Sequence, residues 1–156
     1  MADIHIADFH KDVAKVFCQL YAGFPRKLTL FVEDISGSDT PDEFGLHSTR
    51  HQACFATFLW LAEEGYIRYD STIRQEAIDQ TTLTHRGFTL LSTQLHCQSL
   101  VASGTTHTAN QLTDQPPSAQ IRGDFAPAID LIRSAVRGGS SSAIEHIVQI
   151  ILHQPR

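Results

Sequence analysis

The sequence is short of ready-made chemistry. It contains no Gly-x-Ser-x-Gly elbow, no Walker phosphate loop, no His-Glu-x-x-His pair and no dinucleotide-binding glycine pattern, so the common hydrolase, nucleotide-binding and zinc-peptidase routes lack their characteristic residues. No catalytic residue and no cofactor is expected. The three cysteines, Cys18, Cys54 and Cys97, are odd in number and widely spaced, which argues against a disulfide framework and fits a reducing compartment. No window approaches the roughly 18 to 20 apolar residues that a bilayer span requires. The opening Met1–Ile6 also lacks a basic segment followed by an apolar run, so a cytoplasmic location without membrane attachment is the expectation. Basic charge is in deficit as well: 12 Lys and Arg stand against 17 Asp and Glu, for a net charge of −5. All of that excess lies before residue 103, where eight cations face 13 carboxylates. A surface dominated by phosphate-binding cations is therefore not expected.

What the chain does have is hydrophobic periodicity, with 42% apolar residues in 156, enough for a core without staples. After Asp8, a good helix cap, Phe9, Val13, Val16, Phe17 and Leu20 recur at helical spacing, and Gly23 and Pro25 end the run. Leu28–Phe31 is a short apolar stretch, and Val32–Ile35 before Ser36-Gly37 reads as a small helical turn. Thr40-Pro41-Asp42-Glu43 matches a capping box, but Gly45 weakens any helix begun there and a short turn is expected. Ser48 caps the longest later helix, Ser48–Glu64, which carries Phe55, Phe58, Leu59 and Ala62 and stops at Gly65. Tyr66–Asp70 then reads as a strand, Ala77–Leu83 as its returning partner, and Thr84 as the cap of a helix on which Phe88, Leu91 and Leu95 share a face.

Two junctions in this order carry a resemblance. In Leu61-Ala62-Glu63-Glu64-Gly65-Tyr66-Ile67 a helix breaks at glycine directly into a strand. Leu83-Thr84-His85-Arg86-Gly87-Phe88-Thr89-Leu90-Leu91 has the Leu-Thr-x-x-Gly pattern that leads into the helix after a wing. Together they resemble the winged-helix superfamily over a little more than half the chain. The resemblance implies a mostly α, α+β domain with a small β-hairpin wing, spanning residues 1–102. The acidic connection from Ser36 to His47 is longer than the tight turn DNA-binding members keep at that place.

Residues 103–120, rich in Gly, Thr, Asn, Gln, Ser and Pro, read as a flexible linker. Beyond it, in residues 121–156, Phe125, Ile129, Ile132 and Val136 mark one amphipathic helix. After Gly138-Gly139, Ile144, Ile147, Val148, Ile151 and Leu152 mark a second. Such a helical hairpin cannot cover its own apolar faces, so it must dock on the main domain or on another chain.

Three functional constellations follow. The residues Trp60, Ile129, Ile132, Val136, Ile144, Ile147, Val148 and Ile151 are candidates for docking a protein partner or for self-association as a homodimer. Trp60 falls opposite Phe58 and Ala62, where it serves either a docking surface or packing against the wing or the Leu91 helix. A DNA-binding use would place Arg50, His51 and Gln52 near base edges and Arg68 and Arg74 near phosphates. His47, His51 and Cys54, at i, i+4 and i+7 of a continuous helix, could ligate zinc with Asp42 or Glu43. The competing reading makes these histidines helix-end or core residues and Cys54 a small core side chain. Cys97 beside His96 points about 100° away on a helix, which does not make a nucleophile and base. Asp70 and Asp79 face each other only if the hairpin register allows it. The leading expectation is a non-enzymatic, regulatory interaction module that oligomerises or docks through its C-terminal helices. The alternative is a DNA-binding transcription regulator using the Ser48 helix and the wing.

Overall fold

A computed structural model describes residues 3–96 and 125–154, so the proposed linker and Cys97 lie outside the described residues. Helix α1 (Ile4–Gly23) starts at Asp3, five residues before the expected Asp8. Asp8 therefore lies inside the helix, with its carboxylate 3.6 Å from Arg50. The predicted stripe is real: Val13, Val16, Phe17 and Leu20 are buried. Strand β1 (Leu28–Phe31) leads into the short helix α2 (Val32–Ser36). The Thr40–Glu43 capping box starts no helix; the Asp42 carboxylate accepts the N–H groups of Phe44 and Leu46, both at 2.9 Å, and closes a turn.

Helix α3 (Thr49–Glu63) is capped as the sequence suggests, with Ser48 Oγ accepting the His51 N–H at 3.2 Å. Gly65, at φ +81°, turns the chain out of the helix in a conformation that a side chain disfavours. Strands β2 (Ile67–Arg68), β3 (Ser71–Ile73) and β4 (Ala77–Leu83) follow. Strand β4 is central and antiparallel to its neighbours: β1 lies on one side, with Leu30 opposite Ile78, and β2 and β3 on the other, with Ile67 opposite Leu83 and Ile73 opposite Ala77.

The Gly65 and Thr84 junctions prove to be one joint. Thr84 Oγ1 caps helix α4 (His85–Ser92) by accepting the Gly87 N–H at 3.1 Å, and its hydroxyl donates to the Gly65 carbonyl at 2.5 Å. Gly87 is needed here because a Cβ would sit 2.1 Å from the Tyr66 carbonyl oxygen. Helix α4 stops at Ser92. Leu95 therefore does not extend its apolar face but lies in strand β5 (Gln94–His96), opposite Ala126 of β6 (Phe125–Pro127). Phe125 is likewise on a strand and not on the helix expected to contain it.

Helices α5 (Ala128–Gly138) and α6 (Ser141–Leu152) pack against α1 and against each other. Gly139 ends α5 in the left-handed region, and Ser140 caps α6. Ile129, Ile132, Ile144, Ile147, Val148 and Ile151 all enter the same hydrophobic cluster as Phe17, Leu20 and Leu61. Each such burial contributes roughly 2 kcal/mol before ordering entropy is subtracted, so this packing is a major part of the core. The architecture is a mixed helix and sheet arrangement of the α+β class. Among the described residues, no helix is long and apolar enough to cross a membrane.

Candidate functional site

The start of α3 gathers most of the chemically interesting side chains, and the structure sorts them differently from the sequence. Arg50 turns toward α1. Its two terminal nitrogens donate to the Asp12 carboxylate at 2.7 and 2.5 Å, and its Nε lies 3.6 Å from Asp8. Asp12 is 1% exposed, so its charge needs this partner. The same hydrogen bonds hold the Arg50 guanidinium above its ordinary pKa. His51 is buried, and the Gln52 side chain donates to the His47 carbonyl at 2.8 Å. Two of the three residues assigned to base edges thus face inward in this structure. Arg68 and Arg74 stand exposed on the β2–β4 hairpin.

The metal constellation is also redrawn. His47 precedes the Ser48 cap, so it is not one helical turn before His51 on a continuous helix. The chain bends at Ser48 and stacks the two imidazoles face to face, 3.8 Å between centroids and 7° from parallel. Cys54 points elsewhere: it is fully buried in the core cluster, where desolvation above all, with the Asp12 charge, pushes its thiol up to about 12. Its place beside the histidines is taken by Asp39, whose Oδ2 lies 2.9 Å from His47 Nδ1 and 3.8 Å from His51 Nδ1. The Ser48 hydroxyl, more than any other group, holds the Asp39 carboxyl below the ordinary carboxylate range, with His47 and the Ser48 backbone N–H contributing. Asp42 and Glu43 are exposed in the turn, and neither joins the cluster.

On the far side of His51, Nε2 lies 2.7 Å from the Gln75 carbonyl. A carbonyl only accepts, so Nε2 carries the hydrogen and the neutral ring presents a lone pair at Nδ1. That buried atom has no hydrogen-bond partner. The Asp39, His47 and His51 ligand atoms all lie within 4.8 Å of one another. This cluster ties three parts of the chain together: the 37–48 connection, the first turn of α3 and the hairpin turn before β4. The same connection exposes Phe44 (81%) and Leu46 (60%).

The remaining candidates are placed as follows. Trp60 is half-buried, edge-on to Phe9 at 5.1 Å and tilted against Tyr66 at 6.3 Å, so part of its ring packs within the chain. Of the tail residues proposed for docking, only Val136 is more than marginally accessible. Their periodicity correctly marked a buried face, but what buries it is α1 of the same chain. Asp70 and Asp79 meet through the backbone, the Asp70 N–H donating to the Asp79 carbonyl at 3.1 Å, but their carboxylates do not pair: that of Asp70 lies 3.5 Å from Lys27, and that of Asp79 accepts the Thr29 hydroxyl at 2.7 Å. A cleft of about 400 Å³ beside α4 is lined by Tyr66, Arg86, Thr89 and Leu90 among others. Its guanidinium is committed, since Arg86 donates to the Glu64 carbonyl and the Tyr66 hydroxyl and lies over the Tyr66 ring. Asp39 was missed in the sequence because it lies nine residues from the cap it bonds, in a stretch without periodicity. No protein-family model, curated protein or solved structure matches the chain.

Proposed function

We propose that this protein is a non-enzymatic interaction module on a winged-helix-like frame, and that it docks a protein partner through the side formed by the 37–48 connection and the start of α3. The order of elements and the position of β4 between β1 and the β2–β3 arm support the winged-helix reading. The observation that carries the function is the Arg50 clamp. A helix that reads DNA needs its leading cations free, whereas the Arg50 guanidinium is held by the Asp12 carboxylate and lies 3.6 Å from a second carboxylate, Asp8. The same side exposes Phe44 and Leu46, large apolar side chains suited to a partner's pocket. The tail contributes by stabilising α1 and not as the docking surface.

The test compares the full chain with a Phe44→Ser/Leu46→Ser variant in affinity capture and sedimentation. A partner or self-associated species retained by the parent and lost by the folded variant supports the reading. Equal retention by both overturns it.

DNA binding is the second reading, favoured by the exposed Arg68 and Arg74 on the hairpin. Salt-sensitive binding to duplex DNA that weakens in an Arg68→Ala/Arg74→Ala variant would establish it in place of the first.

A further inference from the structure

The unpartnered nitrogen of His51 poses a specific electrostatic problem. In the neutral ring its lone pair is buried 3.8 Å from a carboxylate oxygen, so two electron-rich atoms lie close together. A cation between them removes the conflict. We propose that Asp39, His47 and His51 form a binding site for a single divalent transition-metal ion of the zinc type, which fastens the 37–48 connection to α3 and to the hairpin turn.

The donor set suits such an ion. Zinc takes imidazole nitrogen and carboxylate oxygen at about 2.0 to 2.2 Å, and tetrahedral geometry then sets donor atoms about 3.3 Å apart. The observed separations from Asp39 Oδ2, 2.9 Å to His47 Nδ1 and 3.8 Å to His51 Nδ1, bracket that spacing, and the stacked rings must swing out of their parallel arrangement for both Nδ1 lone pairs to meet at the ion. The outer support is in place too. His51 Nε2–H donates to the Gln75 carbonyl, the partner that fixes a ligating imidazole with its other nitrogen bare. The Ser48 N–H donates to Asp39 Oδ2 at 3.2 Å and holds that carboxylate in position. The His47 ring donates Nδ1–H to Asp39 in the metal-free chain; on binding, Nδ1 gives up that hydrogen and becomes a ligand, and the ring keeps a hydrogen on Nε2. Asp39 and His47 side chains are each 12% exposed over a His51 floor at 1%, so an ion has a route in from solvent. Cys54 takes no part. The inference is independent of whether a protein or DNA docks on this side.

The experiment uses the full chain freed of metal with a chelator, titrated with Zn²⁺ by calorimetry and with Co²⁺ by visible absorption, beside Asp39→Asn and His47→Gln. Both substitutions lie in the connection and not in the core, and circular dichroism checks that they fold. The expected result is one ion per chain, a tetrahedral Co²⁺ spectrum, a higher Tm with Zn²⁺, and affinity at least about tenfold weaker in each variant. Absence of saturable binding overturns the proposal, as does binding that persists unchanged in both folded variants. A Tm that rises on mild acidification but not with Zn²⁺ would overturn it as well, since the cation between His51 and Asp39 would then be a proton.

Discussion

The guanidinium of Arg50 and the carboxylate of Asp12 form a two-point ion pair that joins the first turn of α3 to the middle of α1. Asp12 is almost fully buried, whereas Arg50 is 33% exposed, so the two partners are not equivalent. Arg50→Ala strands a buried carboxylate. Breaking a fully buried pair costs about 3 to 5 kcal/mol, and solvent access at Arg50 lowers the expectation here to roughly 2 to 3 kcal/mol. Asp12→Asn/Arg50→Gln should recover part of it. Urea denaturation of the three variants measures both effects.

The tail makes a second prediction. Ile147 of α6 is buried in the common core, so Ile147→Ala should lower the unfolding free energy by about 2 to 4 kcal/mol. Because the packing is within one chain, the loss should not depend on protein concentration. Midpoints that shift with concentration would instead place α6 in an interface between copies.

The joint at Thr84 is sensitive to a single methyl group. Gly87→Ala forces a Cβ against the Tyr66 carbonyl, a backbone atom that cannot swing away, and should cost about 3 kcal/mol or abolish folding. Gly138→Ala, at a helical position with nothing within 4 Å of the new carbon, is the control and should be neutral or stabilise by up to about 1 kcal/mol. Thr84→Val keeps the shape but loses the cap and the bond to Gly65, at a cost of about 1 to 2 kcal/mol. Thermal and urea unfolding rank the three.

Acid should reveal the Thr29 and Asp79 contact between β1 and β4. The Thr29 hydroxyl, foremost, holds the Asp79 carboxyl below its ordinary value of 3.8. A carboxylate lowered in the folded state adds stability above that value, and the contribution fades as pH falls through the folded pKa. At neutral pH Asp79→Asn should therefore be the less stable protein, and the gap should close on acidification below about pH 4. A gap that stays constant with pH in urea melts would contradict this assignment.

Local signals in the sequence located most elements because each has a local cause. Ser48, Thr84 and Ser140 cap where a side-chain oxygen precedes an apolar run, and Gly65 and Gly139 end helices where positive φ is needed. Errors arose where a distant partner decides. Asp8 looks like a cap, but the helix already begins at Asp3 and carries Asp8 to the face that meets Arg50. Leu95 and Phe125 continue helical patterns on paper but pair as strands, because each strand needs the other from across a long separation. Amphipathic stripes at Ile129 to Ile151 announce that a face is buried but carry no information on whether the cover comes from the same chain. The candidate site was half legible. His47 and His51 stood out by type, whereas the bend at Ser48 replaced Cys54 with Asp39.

The pairing of β5 with β6 fixes His96 opposite Phe125, so the chain leaves and re-enters the described structure at adjacent points. A proteolytic nick anywhere between those two residues would sever the backbone without separating the pieces, since the α1 contacts of α5 and α6 and the strand pair would hold them together. Expressed apart, the two fragments should reassemble into one complex, which size-exclusion chromatography of the mixture would check.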